Sequence, residues 1–142
     1  MGVKARKVLF ALLLVASAPE SFSADLTIRI DGYKNRDGVV RIAVYDAKTT
    51  FEQADLPRSI AAVQLRADLD EVTINDLPQG RYALAVHHDE NSDGRVNRGL
   101  VLAKEGYGFS NGASCWSVPD FEQASFAVDG KNETVVIHLK YC

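Results

Sequence analysis

The most distinctive chemical feature of the sequence is an acidic loop between residues 89 and 97. Oxygen-bearing side chains occur at alternate positions from Asp89 to Asp93, and Gly94 follows directly. The first half of an EF-hand loop has this spacing, because alternate side chains converge on the calcium ion and the glycine permits a sharp turn. The candidate ligands are Asp89, Asn91, Asp93, the carbonyl of Arg95, Asn97 and, from elsewhere in the chain, Glu105, with Glu90 or Asp120 as alternatives to it.

Two features weaken the analogy with an EF-hand. The twelfth position, where a bidentate glutamate is needed, is Leu100, and no flanking helices are indicated. Asparagine, aspartate, serine and glycine are also the usual residues of turns whose side chains bond their own backbone. Two interpretations therefore stay open: a calcium site with a weak affinity of ~10⁻⁴–10⁻³ M, or a plain polar turn.

Two adjacent histidines, His87 and His88, precede the loop. Neighbouring residues of a strand point to opposite faces, so the two histidines are poorly placed to bind one metal ion. His88 shares its face with Tyr82, Leu84 and Val86. We therefore expect His88 to lie at the edge of the core and to bond a loop.

Aromatic residues are concentrated in the segment after the acidic loop. Tyr107, Phe109 and Trp116 form a candidate surface for a ligand or a partner, since aromatic residues are enriched at recognition sites. Alternatively, they anchor this segment over one end of the domain. Gly106 and Gly108 flank Tyr107 and indicate a backbone with unusual dihedral angles.

Strands must position these residues, because apolar and polar residues alternate along most of the chain. Seven strands are predicted, at residues 26–30, 40–44, 61–65, 72–74, 82–86, 125–128 and 134–141. The first two are expected to form a hairpin, and the spacing Leu77-x-x-Gly80-x-Tyr82 is typical of a tyrosine corner. The pattern predicts an all-β, seven-stranded antiparallel sandwich with one long functional loop at residues 89–122, where no strand is evident.

The N-terminal segment is predicted to direct export. Three basic residues precede an uncharged apolar stretch too short to span a bilayer, and small polar residues follow it. We expect residues 1–24 to be a cleaved signal peptide and residues 25–142 to be a single domain, periplasmic or secreted. A cut after Ser23 suits the preference for small residues better than a cut after Ala24.

Charge and cysteine content agree with an exported protein. Residues 1–24 contain three basic residues and one acidic residue, so their removal changes the formal charge from -3 to -5. An acidic surface argues against binding nucleic acid. In an oxidising compartment a Cys115–Cys142 disulfide is expected, contributing about 3 kcal/mol by closing the intervening loop. The alternative is two separate thiols.

The stretch from Leu77 to Gly94, which ends in His-His-Asp-Glu-Asn-Ser-Asp-Gly, resembles the hallmark of an exported bacterial family, domain of unknown function 2141. Three further segments resemble other motifs of that family: residues 38–46, 105–111 and 121–126. The resemblance implies a periplasmic or secreted immunoglobulin-like (transthyretin/prealbumin-like) sandwich and implies no activity. The sequence departs from the family at residues 113–117, so the cysteine pair is particular to this chain.

No complete catalytic motif is assigned. An enzyme would have to bring His88, Glu105 and Ser110 into one pocket of the loop 89–122. We therefore expect a non-enzymatic binding or structural module, with a hydrolase-like enzyme of the envelope or the extracellular space as the alternative. The expected partner is an unknown protein, small molecule or glycan of the cell envelope, with no membrane span in the mature chain.

Overall fold

The computed structural model describes residues 22–53, 59–95, 104–112 and 117–142, which form eight strands and two short helices. The strands are β1 (Ser23–Asp31), β2 (Val39–Tyr45), β3 (Ala61–Arg66), β4 (Glu71–Pro78), β5 (Gly80–Asp89), β6 (Gly106–Phe109), β7 (Phe126–Val128) and β8 (Glu133–His138). The helices are α1 (Lys48–Glu52) and α2 (Phe121–Ala124). All seven predicted strands are therefore present, and β6 is the additional one.

The strands form two sheets, as expected for a β-sandwich. The three-stranded sheet has the order β4-β1-β8, and the five-stranded sheet has the order β3-β2-β5-β6, with β7 also paired to β5. Strands β1 and β8 are parallel, whereas the other described pairings are antiparallel. The prediction of an all-β sandwich is confirmed, but the prediction of seven strands, all antiparallel, is wrong.

The first two strands do not form the predicted hairpin. Because β1 pairs with β4 and β8 while β2 pairs with β3 and β5, the connection between them crosses from one sheet to the other. Alternation of apolar residues reveals which face a strand buries but not which strand lies beside it. At the end of this crossing Gly38 has a φ of +68°, and a Cβ there would lie 2.0 Å from the carbonyl oxygen of Asp89. Only glycine fits that position.

The main core fills the space between the sheets. Leu26 and Ile28 of β1 and Val40 and Ile42 of β2 are all at most 1% exposed, and each strand contributes every second residue. A second hydrophobic cluster lies on the outer face of the five-stranded sheet, beneath α1 and α2. Its members are Ala43, Tyr45, Phe51, Ala83, Phe109, Phe121 and Ala124. The five-stranded sheet is thus covered on part of both faces.

The connection between β4 and β5 is a tyrosine corner, as predicted. The hydroxyl of Tyr82 donates a hydrogen bond of 2.7 Å to the carbonyl of Pro78. A Cβ at Gly80 would lie 3.2 Å from that hydroxyl, so glycine leaves room for the bond. The corner fixes the point at which the chain passes from one sheet to the other, with a net stabilisation of about 1 kcal/mol.

Strand β6 lies in the segment that was predicted to lack strands. It was missed because two of its four residues are glycines, which are poor strand formers. A Cβ at Gly106 would lie 2.5 Å from the Tyr141 ring, and one at Gly108 would lie 2.5 Å from Cγ2 of Ile137. Neither glycine has a positive φ, so close packing rather than unusual dihedral angles explains them.

Candidate functional site

Asp89, the last residue of β5, is completely buried although it begins the acidic loop. Its Oδ2 accepts hydrogen bonds from Arg41 Nε (2.8 Å) and from the N–H of Gly94 (2.9 Å). Its Oδ1 accepts the N–H of Asp93 at 3.1 Å. Desolvation raises the pKa of Asp89, but the hydrogen bonds from Arg41 and Gly94 outweigh this effect, and the pKa lies below its ordinary value. Asp89 is therefore a charged anchor that holds the turn from inside.

The described part of the loop after Asp89 is a hydrogen-bonded turn. Oδ1 of Asn91 accepts the N–H of Asp93 at 3.1 Å, and Oδ1 of Asp93 accepts the N–H of Arg95 at 2.7 Å. Ser92 and Gly94 adopt positive φ angles of 59° and 76°. Side chains that bond their own backbone in this way are what the polar-turn interpretation expects.

The described ligand candidates do not fit a calcium shell as they are arranged. Asp89 turns both carboxylate oxygens toward N–H donors, and Glu105 bonds His87. Asn97 lies outside the described residues. Within the part of the chain that the structure describes, no three His, Cys, Asp or Glu side chains form a group that could hold a metal ion. Calcium binding stays a prediction.

His87 and Glu105 form a largely buried pair on the outer face of the five-stranded sheet. Nε2 of His87 lies 2.9 Å from Oε2 of Glu105, and the two side chains are 14% and 6% exposed. An ionised carboxylate only accepts hydrogen bonds, so in neutral His87 the proton lies on Nε2 and the lone pair on Nδ1. Nδ1 has no hydrogen-bond partner among the described residues. The pair therefore offers an oriented acceptor, an arrangement also used by catalytic bases and metal ligands.

A row of polar side chains crosses the five-stranded sheet at this level. Four residues lie side by side on neighbouring strands. They are, in order across the sheet, Gln64 of β3, Arg41 of β2, His87 of β5 and Tyr107 of β6. Nη1 of Arg41 donates to Oε1 of Gln64 at 3.0 Å. With the two carboxylates that bond them, these residues are called the polar row: Arg41, Gln64, His87, Asp89, Glu105 and Tyr107. The long connection leaves the sheet at one of these carboxylates and returns at the other.

Arg41 and Gln64 were not predicted to be site residues. Both alternate with apolar residues, which places them on the outward face of their strands, but an outward polar residue is ordinary on any surface strand. The pairing of Glu105 with His87 was also missed, because it depends on β6 lying beside β5. Strand pairing, rather than residue type, brings the polar row together.

His88 lies in the core, as predicted, and is fully buried. Its Nε2 is 2.7 Å from the carbonyl oxygen of Asp37, and its Nδ1 is 2.6 Å from the hydroxyl of Tyr141. A carbonyl only accepts, so in neutral His88 the proton lies on Nε2 and Nδ1 accepts from Tyr141. Both nitrogens are engaged, and His88 links the β1–β2 connection to the C-terminal segment.

Ser110 lies at the centre of residues 108–112, whose spacing Gly-x-Ser-x-Gly is that of a nucleophile elbow, and the expectation that this segment lacks the elbow pattern is wrong. The structural context differs from an elbow, because Ser110 is 1% exposed and its Oγ accepts the N–H of Leu84 at 2.9 Å. Glu105 lies at the opposite end of β6, and His88 faces the core. The structure therefore does not bring His88, Glu105 and Ser110 together.

The described aromatic residues of the connection pack largely inward. Phe109 is 9% exposed and meets Phe51 edge-on, with ring centroids 5.9 Å apart. Phe121 meets Phe51 at 6.0 Å, and the partly exposed Tyr107 meets Phe109 at 5.9 Å. Trp116 lies outside the described residues. For Phe109 this is the arrangement that the anchoring interpretation expects.

Two predictions concern residues that the structure does not describe. The predicted signal peptide lies mainly in residues 1–21, although β1 already begins at Ser23. Cys115 is also outside the described ranges, while Sγ of Cys142 lies 3.3 Å from the hydroxyl of Tyr107. The export signal and the disulfide therefore stay predictions. Among the described residues, no helix has the length and apolar character needed to cross a membrane.

Comparison with known proteins identifies the family of the chain but no individual relative. No curated protein and no solved structure matches the chain. A family model described as "Uncharacterized protein conserved in bacteria (DUF2141)" matches residues 28–136. This range runs from β1 to β8, covers most of the chain and contains the whole polar row. The chain therefore belongs to the DUF2141 family of uncharacterized bacterial proteins.

Proposed function

We propose that the protein is an exported, non-enzymatic β-sandwich module that binds a neutral glycan of the cell envelope on the polar row. The observation that carries this proposal is the His87–Glu105 pair. Its two side chains are 14% and 6% exposed on the outer face of a sheet. Burying such a pair costs desolvation that an apolar pair of similar volume would avoid. This cost is explained if a ligand donates a hydrogen bond to Nδ1 of His87, which the pair with Glu105 holds in a fixed orientation.

The charge balance of the polar row supports a neutral, hydroxyl-rich ligand. Arg41 is 29% exposed in its side chain and is already paired with Asp89, which is fully buried. Gln64 and Arg41 retain N–H donors, while Nδ1 of His87 is an acceptor. Sugar hydroxyls both donate and accept hydrogen bonds, so they complement this mixture better than an anion or a cation would.

The proposal is tested by following the His87 imidazole by ¹⁵N NMR while two neutral oligosaccharides, chitotriose and maltotriose, are added. We expect one of these probes to shift the Nδ1 signal and His87→Ala to abolish binding. His138→Ala is the matched control, because His138 bonds Asp31 on the outer face of the other sheet. Absence of any shift with both probes, or an equal loss in His138→Ala, would contradict the proposal.

The second candidate is a hydrolase-like enzyme of the envelope that uses the loop 89–122. It is favoured by the same pair, because a carboxylate that orients an imidazole is typical of a general base. The enzyme would cleave soluble peptidoglycan fragments, and mass spectrometry would detect the products. Turnover that His87→Gln abolishes would replace the binding proposal with this one.

We further propose that the sandwich is of the immunoglobulin-like (transthyretin/prealbumin-like) class. The tyrosine corner at Tyr82 supports this class, in which such corners recur. Export by residues 1–24 and a Cys115–Cys142 disulfide belong to the same proposal. The presence of Cys142 beside Tyr107, at the base of the long connection, supports a link between that connection and the C-terminus.

A further inference from the structure

Strand β3 is the outer strand of the five-stranded sheet. Its register with β2 extends to Ala67 and Gly38, where the N–H of Ala67 donates to the carbonyl of Gly38 at 3.4 Å. Bonded and non-bonded pairs alternate in an antiparallel ladder, so the odd-numbered residues of β3 bond β2. The N–H and C=O groups of Ala62, Gln64 and Arg66 therefore point away from the sheet, toward no described strand. Of these groups, the carbonyl of Arg66 already accepts the N–H of Leu69 at 3.0 Å.

This edge lacks the features that usually prevent pairing with another strand. β3 contains no proline, its pairing with β2 shows no register shift, and its single charged residue is Arg66 at the end. The outer edge of β4 differs, because Asp76 has a φ of 55° and Pro78 ends the strand. Compared with the outer edge of β4, β3 presents a regular and nearly uncharged template.

We propose that β3 pairs antiparallel with β3 of a second copy of this chain, about a two-fold axis at Gln64. The free backbone groups select this register, because it places Gln64 opposite itself and Ala62 opposite Arg66 of the second copy. Each outward N–H and C=O then meets a partner, and the carbonyl of Arg66, which already accepts the N–H of Leu69, uses its second lone pair. Shifting the axis to Val63 would instead pair Arg66 with Ile60, whose N–H already donates to Val44 at 2.9 Å.

The exposed apolar residues beside β3 fit the same arrangement. Ile60 and Leu69 are 44% and 49% exposed, and they lie beyond the two ends of the strand. In an antiparallel pair the Ile60 end of one copy lies beside the Leu69 end of the other. On the inner face, Val63 comes opposite Leu65 of the second copy and extends the apolar surface between the sheets.

The charges also permit self-pairing at β3. Arg66 is paired with Asp68 at 2.6 Å and comes opposite Ala62 of the second copy, so no like charges meet. Self-pairing at β4 about Thr73 would instead place Asp70, which is paired with Arg36, opposite Asp76 of the second copy. Like charges directly opposite each other destabilise a strand pair.

The dimer has a consequence for the polar row. The polar row ends at Gln64 on β3. Pairing at Gln64 would therefore join the polar rows of two copies into one continuous row across their two five-stranded sheets. A long oligomeric ligand could then contact two equivalent sites. The dimer itself does not depend on ligand binding and is tested without a ligand.

Sedimentation velocity on the purified protein, from micromolar to millimolar concentration, tests the dimer. We expect a concentration-dependent dimer, weakened about tenfold or more in Gln64→Lys and in Gln64→Glu because like charges then meet at the axis. An equimolar mixture of these two variants should form a heterodimer. A wild-type protein that stays monomeric throughout, or variants that dimerise like the wild type, would overturn the proposal.

Proline variants at the two sheet edges give an independent control. Gln64→Pro removes an N–H that has no partner in the monomer, so we expect a folded protein that no longer dimerises. Thr73→Pro is the matched variant on β4. The N–H of Ile30 donates to the carbonyl of Asp70, so the backbone groups of even-numbered residues of β4 bond β1. The backbone N–H of Thr73 therefore points away from the sheet. Thr73→Pro should dimerise normally, and equal dimer loss in both variants would contradict pairing at β3.

Discussion

At the scale of single residues, Asp89 gives the sharpest test of the acidic loop. Its carboxylate accepts three hydrogen bonds from Arg41, Asp93 and Gly94 while fully buried. In Asp89→Asn the amide N–H₂ group must face at least one of these donors, so we expect a loss of about 2 kcal/mol in urea unfolding. Asp93→Asn, at an exposed position, should cost less than about 0.5 kcal/mol.

The same variant separates a turn from a metal site. If the loop is held by its own hydrogen bonds, the cost of Asp89→Asn is the same in EDTA and in millimolar calcium. A rise in melting temperature with calcium that is lost in Asp93→Ala would instead establish a calcium site, because only an ion bound to the folded state stabilises it.

Acid should reduce the contribution of Asp89 in a defined direction. The pKa of Asp89 in the folded protein lies below the ordinary value of 3.8. Its stabilisation is therefore fully present above pH ~4 and is lost as the pH falls through the lower folded-state pKa. The difference in unfolding free energy between wild type and Asp89→Asn should accordingly narrow below pH ~4, and a constant difference there would contradict this assignment.

The histidines show how far residue-level prediction reaches. Because successive side chains of a strand point to opposite faces, His87 and His88 were predicted to lie on opposite faces, and this is confirmed. The rule could not identify their partners. Glu105 approaches His87 only because β6 lies beside β5, and Tyr141 reaches His88 from the C-terminal segment. These contacts depend on the arrangement of distant strands, which local patterning does not encode.

At the scale of elements, apolar alternation located seven strands but not their neighbours. β1 and β2 illustrate the difference, since each buries an alternating face, and the faces meet across the core rather than side by side in a hairpin. β6 was missed for the opposite reason. Its glycines carry no strand signal, and they are explained by the close approach of Tyr141 and Ile137, a tertiary contact.

The start of β1 supplies a prediction about the N-terminus. Ala24 is 5% exposed and pairs with Leu77, and the carbonyl of Phe22 accepts the N–H of Gln79 at 3.1 Å. A chain that begins at Asp25 lacks these contacts, so we expect it to be about 1–2 kcal/mol less stable to urea than one that begins at Phe22. Equal stabilities would show that the first residues of β1 contribute nothing.

At the scale of the whole molecule, the C-terminal segment ties the two sheets together. The N–H of Leu139 donates to the carbonyl of Asp31 in the three-stranded sheet at 2.9 Å. Lys140 exchanges two backbone hydrogen bonds with Tyr107 in the five-stranded sheet, and the hydroxyl of Tyr141 bonds His88. The sandwich is thus bridged beside β6, whereas β3 and β4 lie at the outer edges of their sheets.

This bridge determines what the proposed disulfide would stabilise. If Cys115 is bonded to Cys142, the long connection is tethered to the segment that joins the sheets. The bond also restricts the unfolded chain, because it closes the loop of residues 115–142. We expect Cys115→Ser and Cys142→Ser each to lower the unfolding free energy by about 3 kcal/mol, and the double variant to cost no more than either alone.

Wild type with and without reductant provides the control, since reduction should match the single variants. Because Cys142 follows Tyr141 directly, loss of the bond should also weaken protection of the His88 and Tyr107 amides in hydrogen exchange before global unfolding. If reductant leaves the unfolding free energy unchanged and the two single variants have additive effects, the cysteines act separately. The bridge would then rest on its hydrogen bonds and packing alone.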